Sequence, residues 1–533
     1  MPCTYRGMRR RVQEAPSSRH CWAPQLRWRA ASTLAFAFAF ALAAACSPDA
    51  VEGGGGTGSS TGPSSGSSGH GGGAGGVGGG SAGDGVGGSG LGEGDGGGAS
   101  GSGTGGAGGS GGASGAGGSG GSLTGSAIWV RHHGTPDGPY ADTHGVAVDA
   151  SGNLHVIARC RGIVDFGAGP LNCQGFPAPL TVVVFKLDPA GNTLWSKQFG
   201  SHVQDAARSI ALDPSGNIVI AGHYWAPNNA ATIDLGGGPL PLPTAGMSHL
   251  FVAKLDDEGN HLWSKSFAPL HGTNSQPNQL AINADGDIAI IYSVLDPVMG
   301  SGAGPERIKL LDASGTERWD RDSGSAHGIL GGIAFDPAGD MVLAVPRFEY
   351  CGASLTRCHQ RILVKKLSIT GSVLWSKELG GSPPHGPGNG GIAQAVAVDA
   401  SGHVFVSGQL FETMDLGLGP VAAGGFLARF DPMGEPVWVQ NPPMEVSQLA
   451  VDGAGDLVVS WRYFAGLGKF APSGAARWVY SSSASSVFYT TQVAIGPNDR
   501  IAAGGGFWGT VDLGTGPLVA FGDGDAWLGV FAP

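Results

Sequence analysis

The sequence predicts an all-β protein, a seven-bladed β-propeller of four-stranded antiparallel blades, preceded by an N-terminal export segment and a disordered linker. Two hairpin motifs recur along residues 127–533, and one of them carries a tryptophan strand. Their apolar residues alternate with a period of two, which is typical of strands. The last repeat lacks a strand that residues 127–134 can supply, so we expect a closed ring.

The first 45 residues have the pattern of a signal peptide. Seven arginines precede the uncharged run AASTLAFAFAFALAAA at 30–45, which is short for a membrane span of about 20 residues. The run ends as LAAAC and resembles a bacterial lipoprotein signal. That resemblance implies an acylated Cys46 and anchoring in the outer membrane at the cell surface. A secreted or periplasmic protein cut near Ala45 is the alternative, and either Met1 or Met8 could be the start.

Residues 46–126 are predicted to be a flexible Gly/Ser-rich linker. From Glu52 to Ser126 the chain contains no Lys, Arg or aromatic residue, so it has little apolar surface to bury. A chain of this length and composition has an average reach of about 45–50 Å. The segment therefore suits a tether that leads from Cys46 to the folded part at 127–533.

Charge and cysteines agree with export. The formal net charge is −11, and the first 45 residues carry seven Arg and one Glu, so the remainder carries −17. Because the exported part is acidic, we expect it to bind neither nucleic acid nor an anionic lipid surface. The lipid anchor is then the expected membrane contact, and we expect a monomer. Beyond Cys46, four cysteines form two local pairs, Cys160–Cys173 and Cys351–Cys358. Neither pair has zinc-ligand spacing, so we expect disulfides worth roughly 2.5–3 kcal/mol each.

The first repeated motif is an alternating strand, an Asp-x-x-Gly turn and a second alternating strand. In this turn the Asp side chain caps the backbone and Gly takes the left-handed position. The seven copies are GVAVDASGNLHVIAR (145–159), SIALDPSGNIVIAGH (209–223), QLAINADGDIAIIYS (279–293), GIAFDPAGDMVLAVP (332–346), AVAVDASGHVFVSGQ (395–409), QLAVDGAGDLVVSWR (448–462) and QVAIGPNDRIAAGGG (492–506).

The second motif, KLDPAGNTLWSKQF at 186–199, is a hairpin with the same turn chemistry and a tryptophan in its second strand. Its tryptophans are Trp195, Trp263, Trp319, Trp375, Trp438 and Trp478, with Trp129 at the start of the folded region as the seventh. Two hairpins per repeat give blades of four strands. The predicted blades are 140–200, 201–269, 270–324, 325–381, 382–441, 442–482, and 483–533 with 127–134.

These paired hairpins resemble the SBBP-type β-propeller repeat of bacterial surface proteins, with the NHL repeat as a more distant relation. The resemblance implies that the VAVD strand is innermost and the tryptophan strand outermost in each blade. A tryptophan in every blade favours packing between blades. Similarity to the tryptophan element of quinoproteins leaves pyrroloquinoline quinone as a weaker alternative, and we expect no organic cofactor.

Two further patterns could bind metal ions. Asp165, Asp234, Asp415 and Asp512 open D-[L/F]-G-x-G-P loops, where an ordinary Asx turn is favoured over Ca²⁺. Loops between a tryptophan strand and the next VAVD strand share one face and hold over half the histidines of the folded region. A divalent metal site or a pH-sensitive surface could assemble there; the candidates are His132, His133, His144, His202, His271, His327 and His385.

No catalytic motif is present in the sequence, so whether the protein is an enzyme stays open and binding is the favoured function. We expect a lipid-anchored interaction module whose loop face recognises an extracellular protein, glycan or matrix component. An enzyme with a site at the channel mouth is one alternative. A scaffold for outer-membrane assembly that faces the periplasm is another.

Overall fold

The computed structural model describes residues 125–533 except 135–139, 174–180, 201–203, 226–231, 242–246, 271–272, 296–303, 326–330, 352–355, 381–389, 443, 462–465, 482–487 and 522–523. The predicted signal peptide, Cys46 and nearly all of the linker lie outside the described residues. Apart from one 3₁₀ turn at Pro497–Asp499, the regular elements in the described part are strands.

The strands follow in chain order. They are β1 Ala127–His133, β2 Tyr140–Val148, β3 Leu154–Asp165, β4 Pro170–Cys173, β5 Thr181–Leu187, β6 Thr193–Phe199, β7 Gln204–Leu212, β8 Ile218–Trp225, β9 Ser248–Leu255, β10 His261–Phe267, β11 Asn274–Ile282, β12 Ile288–Leu295, β13 Glu306–Leu311, β14 Glu317–Asp322, β15 Gly332–Phe335, β16 Met341–Cys351 and β17 Thr356–Leu367. The remainder are β18 Val373–Leu379, β19 Gly391–Val398, β20 Val404–Leu410, β21 Met414–Asp415, β22 Pro420–Val421, β23 Gly424–Phe430, β24 Pro436–Gln440, β25 Val446–Val451, β26 Leu457–Trp461, β27 Gly466–Phe470, β28 Ala476–Ser481, β29 Phe488–Ile495, β30 Ile501–Phe507, β31 Thr510–Asp512, β32 Pro517–Val519 and β33 Asp525–Phe531.

Seven antiparallel blades are built from these strands. From the inside outward they are β2-β3-β5-β6, β7-β8-β9-β10, β11-β12-β13-β14, β15-β16-β17-β18, β19-β20-β23-β24, β25-β26-β27-β28 and β29-β30-β33-β1, numbered here as blades 1 to 7. The first strand of each blade contacts the first strand of the next, and β29 contacts β2, so the inner strands form a closed ring. The predicted seven-bladed fold, closed by an N-terminal strand, is confirmed.

Blade 7 closes through a turn that is broken in sequence but not in space. Strand β1 pairs with β33, and the Ala532 amide donates to the Ser126 carbonyl over 2.8 Å. In blade 1 the equivalent bond runs from the Asp188 amide to the Asn192 carbonyl over 2.9 Å. Gly125 has a φ of +56° and takes the left-handed place that Gly191 holds in blade 1.

The hydrophobic core lies between neighbouring blades. In one such layer Ile157 and Val184 of blade 1 pack with Ile210 and Ile220 of blade 2. Three of these side chains are fully buried and Ile210 is 2% exposed. Because each blade needs a neighbour on both sides to cover its apolar faces, the ring has to close for the last blade to be stable.

The two ends of the ring differ, and we name them the turn face and the loop face. The turn face carries the tight turns inside both hairpins of each blade. Their chemistry is as predicted in blade 1, where one Asp149 oxygen accepts the Ser151 and Asn153 amides at 2.8 Å and Gly152 has a φ of +84°. The loop face carries the connections from each tryptophan strand to the next inner strand.

Candidate functional site at the loop-face end

The repeated tryptophans belong to the turn face. In five blades the indole Nε1 donates to the carbonyl of the second turn residue in the next blade; these bonds join Trp129 to Pro189, Trp195 to Asp257, Trp319 to Ile369, Trp375 to Pro432 and Trp438 to Pro472 at 2.9–3.2 Å. Trp263 and Trp478 lie against Gly315 and Gly125 in the same way, too close for a Cβ atom. The half-buried tryptophans therefore join neighbouring blades through hydrogen bonds and packing.

The lysine of the repeated motif has a partner inside its own blade. It neutralises the aspartate that caps the inner turn; the pairs are Lys186–Asp149, Lys254–Asp213, Lys366–Asp336, Arg429–Asp399 and Lys469–Asp452. Blades 3 and 7 lose both members together, because the two positions are Asn283 and Leu310 in blade 3 and Gly496 and Val530 in blade 7. A buried charge is costly without its partner, which explains the paired loss.

The D-[L/F]-G-x-G-P loops fill the outer groove between blades. In each of them one Asp oxygen accepts two glycine amides, as in the loop where Asp165 receives Gly167 at 2.6 Å and Gly169 at 3.1 Å. Equivalent bonds hold the loops at Asp234, Asp415 and Asp512. The apolar residues that flank the Asp, such as Val164 and Phe166, are fully buried. These contacts give the Asp a turn-forming role.

Three of the seven candidate histidines are described, and they do not converge. His132 pairs with Asp525 at 3.0 Å and stacks on Phe521. His133 packs against Phe166 and Phe185, and burial lowers its pKa to about 4. His144 joins a different cluster, described below. His202, His271, His327 and His385 lie outside the described residues.

Cys160 and Cys173 form a disulfide between β3 and β4, and both are fully buried. The side chains of Cys351 and Cys358 lie outside the described part of the chain. One predicted disulfide is thus present, in blade 1, where it joins the two strands that flank the loop at Asp165.

A dense group of buried ionisable side chains lies at the loop-face end of the inner strands. At its centre is Asp142 on β2, which is fully buried. Arg159 donates to both of its oxygens at 2.7 and 2.8 Å. Tyr140 and Tyr489 donate their hydroxyls to Asp142 Oδ2 at 2.8 and 2.5 Å, and His144 Nε2 lies 3.2 Å from the same oxygen.

Charge compensation fixes the protonation of this group. Burial opposes ionisation of Asp142, but Arg159 and His144 hold its pKa well below the usual range. Burial, followed by the Asp142 charge, raises the pKa of Tyr140 to about 12 and that of Tyr489 well above its ordinary value. The centre is therefore an ionised carboxylate surrounded by a guanidinium and two neutral phenols.

Blade 2 extends the group with Arg208 on β7 and His223 on β8. Burial and the Arg159 charge lower the pKa of Arg208 to about 10. Burial and the Arg208 charge lower the pKa of His223 to about 3. We call Tyr140, Asp142, His144, Arg159, Tyr489, Arg208 and His223 the loop-end cluster. Of these residues only His144 was a candidate from the sequence, because the members come from three blades.

Blade 3 has a separate buried carboxyl at the same end. Glu306, the first residue of β13, is fully buried, and burial raises its pKa to about 8. Its Oε1 accepts the Asn278 amide group at 2.9 Å. Among the described residues Oε2 has no hydrogen-bond donor. At neutral pH the protonated form of Glu306 predominates.

One cluster at the turn face has the composition of a metal site. Asp149, His155 and Asp257 bring ligand atoms within 4.8 Å of one another across the junction of blades 1 and 2. However, the Lys186 ammonium lies 2.5 and 2.6 Å from the two Asp257 oxygens and 3.8 Å from Asp149. This ammonium already neutralises the carboxylates, so we interpret the cluster as an ion-pair contact between blades.

Comparison with known proteins identifies no family, since no family model matches the chain. Over 85 residues it is 27% identical to an uncharacterized WD repeat-containing protein of Acanthamoeba polyphaga mimivirus. That match covers 16% of this chain and 6% of the viral protein, so the chain spans a small part of its curated relative.

Several solved structures resemble the fold at low identity. Sqt1 from Chaetomium thermophilum has 14% identity and a TM-score of 0.41, over 77% of this chain and 100% of that one. A streptogramin B lyase has 10% identity and a TM-score of 0.39, over 74% and 99%. BamB from Moraxella catarrhalis has 13% identity and a TM-score of 0.33, over 75% and 91%.

These three are β-propeller proteins, and at such scores the likeness carries no argument about function. The class of this protein follows from its own strand pairing: it is a seven-bladed β-propeller. Within the described ranges, no helix has the length and apolar character needed to cross a membrane.

Proposed function

We propose that this protein is a binding module, tethered by an acylated Cys46, whose loop face recognises an extracellular protein, glycan or matrix component. The observation that carries the proposal is the uneven distribution of chemistry between the two faces. The turn face repeats the same turn and tryptophan contact around the ring, with the same ion pair in five blades. At the loop-face end the buried ionisable groups differ from blade to blade, with Asp142, Arg208 and Glu306 in blades 1, 2 and 3.

The point where the chain enters the propeller supports this orientation. Gly125, the first described residue, lies in the closing turn of blade 7 and therefore on the turn face. A tether that leads to Gly125 attaches at the end opposite to the loop face. The loop face is then free to meet a partner.

Acylation of Cys46 has its own test. Metabolic labelling with palmitate should mark the wild-type protein and should not mark a Cys46→Ser variant.

Blocking one face at a time tests the binding function. A cysteine is introduced at Ala268, which is exposed on the loop face, or at Ser151, which is exposed on the turn face. Each variant is coupled to polyethylene glycol maleimide and applied to a panel of glycans and matrix proteins. We expect the loop-face polymer to abolish the binding of a panel member that the wild type retains, because it covers the recognition surface.

The Ser151 conjugate is the matched control and should bind like the unmodified protein. If a panel member binds and only the turn-face polymer blocks it, the loop face is not the recognition surface. If a broad panel yields no ligand for the unmodified protein, the binding function itself is contradicted.

A further inference from the structure

Six inner strands have a bulge at the same position, five residues before the capping position of the inner turn. In blade 7 the bulge residue is Thr491, whose side chain lies outside the described part of the structure. The five bulge residues with described side chains are His144, Arg208, Asn278, Gln394 and Ser447, in blades 1, 2, 3, 5 and 6. A bulge turns its extra residue out of the ladder and re-aims the side chain. The same backbone device therefore presents a different polar group in each blade.

Four of these five side chains have polar partners. His144 contacts Asp142, and Asn278 donates to Ser293 at 3.0 Å and Glu306 at 2.9 Å. Gln394 donates to Glu445, and Ser447 contacts the Ser460 hydroxyl at 2.9 Å. Arg208 differs: within the described part of the chain its buried Nε has no hydrogen-bond acceptor and its guanidinium forms no ion pair.

The nearby carboxylate of Asp142 is hydrogen-bonded to other residues, and no hydrogen bond joins it to Arg208 in the described part of the structure. Asp142 Oδ2 is contacted by Tyr140, Tyr489, His144 and Arg159, while Oδ1 accepts Arg159 Nε. A carboxylate offers about four acceptor positions. The cluster thus holds two guanidinium groups and one carboxylate that is hydrogen-bonded to residues other than Arg208, which leaves an excess positive charge at Arg208.

His223 adds a second unsatisfied group to the same region. Its side chain is 9% exposed, and among described residues its Nδ1 has no hydrogen-bond partner. The charges that act on it come from Arg208, Arg159 and His144, all of which disfavour its protonation. The surroundings of Arg208 and His223 are therefore electropositive, and the Arg208 Nε–H is an unused donor.

We propose that Arg208, flanked by Arg159 and His223, binds a compact oxyanion, a phosphate or a carboxylate group, at the loop-face end of the inner strands. The planar guanidinium fork suits two oxygens of such a group. The anion supplies the negative charge that Asp142 does not. This inference rests on the proposed function, because it assigns a ligand chemistry to the loop face.

Isothermal titration of the purified full chain with inorganic phosphate and with citrate, at constant ionic strength, tests the site. We expect one equivalent of anion to bind the wild type. Arg208→Gln should weaken binding by about tenfold or more, because a bidentate charge-assisted pair is lost. Arg208→Lys keeps the charge without the fork and should bind with intermediate affinity. Arg500→Gln, at an exposed arginine of the turn face, is the matched control and should bind like the wild type.

Thermal unfolding of each variant verifies that it folds and gives a second readout. Phosphate should raise the unfolding temperature of the wild type and of Arg500→Gln, because a ligand that binds the native state stabilises it, and not that of Arg208→Gln. Whether phosphate or citrate binds more tightly distinguishes a free oxyanion from a carboxylate-bearing ligand.

Wild-type protein that takes up neither anion at millimolar concentration overturns the inference, as does unchanged uptake by folded Arg208→Gln. The two proposals fail separately. Loop-face binding of a glycan or matrix protein without anion uptake refutes the anion site alone. Anion uptake lost in Arg208→Gln, with no panel member bound, refutes recognition of a macromolecule by the loop face.

Discussion

The turn face and the loop face are built from the same strands, yet they follow different rules. On the turn face five blades pair the capping Asp with a Lys or Arg, and the other two blades lack both partners. At the loop-face end the residue at the inner-strand bulge changes from blade to blade. Uniform repeats are what ring closure needs, whereas variation at fixed backbone positions is what recognition needs.

The largest expected effect comes from breaking the turn-face rule in blade 4. Lys366 lies 2.5 Å from Asp336, a side chain that is largely buried, and 3.4 Å from Asp340. Lys366→Leu should lower the free energy of unfolding by about 3 kcal/mol, because it leaves two neighbouring carboxylates without their cation. Urea unfolding followed by tryptophan fluorescence measures the change.

The double variant Lys366→Leu/Asp336→Asn is the control that blade 3 provides, since it reproduces the natural pair Leu310 and Asn283. We expect it to recover most of the stability lost in the single variant. A double variant as unstable as Lys366→Leu would show that Asp336 and Lys366 do not compensate each other.

The sequence made the turn face predictable because its rules repeat. The Asp-x-x-Gly turns and the complementary strand at 127–134 could be identified by comparing seven copies. The paired replacements at Asn283/Leu310 and Gly496/Val530 can also be found by comparing the repeats. Their reason is apparent only from the structure, in which the same two positions form an ion pair in the other five blades. Asp142 and Tyr489 are 347 residues apart along the chain, and repeat comparison contains no information on such a contact. Variation at the bulge position, from His144 to Arg208 to Asn278, is the signal that could have directed attention to the loop-end cluster.

A smaller effect, dependent on pH, should come from the loop-face end of blade 3. The pKa of Glu306 is raised by burial to about 8 from an ordinary 4.5. Between these values the folded state binds more protons at Glu306 than the unfolded state, so the free energy of unfolding falls as pH rises. Its contribution is fully present below pH 4.5 and is lost above pH 8.

Glu306→Gln removes this titration while it keeps the shape of the side chain. A pKa of about 8 in place of 4.5 corresponds to about 5 kcal/mol in full. Relaxation and water entry around the ionised carboxylate should reduce the gain of the variant over wild type to about 2–3 kcal/mol in unfolding free energy between pH 4.5 and 8. Urea midpoints measured across that range give the difference. Glu258→Gln, at an exposed position of the turn face, should show no such trend. Parallel pH profiles for wild type and Glu306→Gln would mean that Glu306 titrates like an exposed carboxyl.

The smallest effect concerns a tryptophan of the turn face that lacks the repeated indole hydrogen bond. Trp438 Nε1 donates to the Pro472 carbonyl at 2.9 Å, whereas Trp478 Nε1 is buried and has no acceptor among the described residues. For the five tryptophans that form this bond the acceptor is the second residue of the next blade's outer turn. The next blade after Trp478 is blade 7, where that turn is broken between Pro533 and Gly125. Both indoles lie against a left-handed glycine, Gly474 and Gly125 respectively, so they differ chiefly in this bond.

Replacing each tryptophan with phenylalanine isolates the hydrogen bond. Trp438→Phe and Trp478→Phe lose similar apolar contact, so Trp438→Phe should be less stable than Trp478→Phe by about 1 kcal/mol, the net value of one hydrogen bond. Urea unfolding followed by circular dichroism measures both variants without relying on the altered fluorophore. Equal losses would indicate that apolar packing, and not the bond to the next turn, accounts for the tryptophan in every blade. A larger loss of stability in Trp478→Phe than in Trp438→Phe would mean that the contact at the broken turn is the more important one, because Gly125 lies where the two ends of the chain meet.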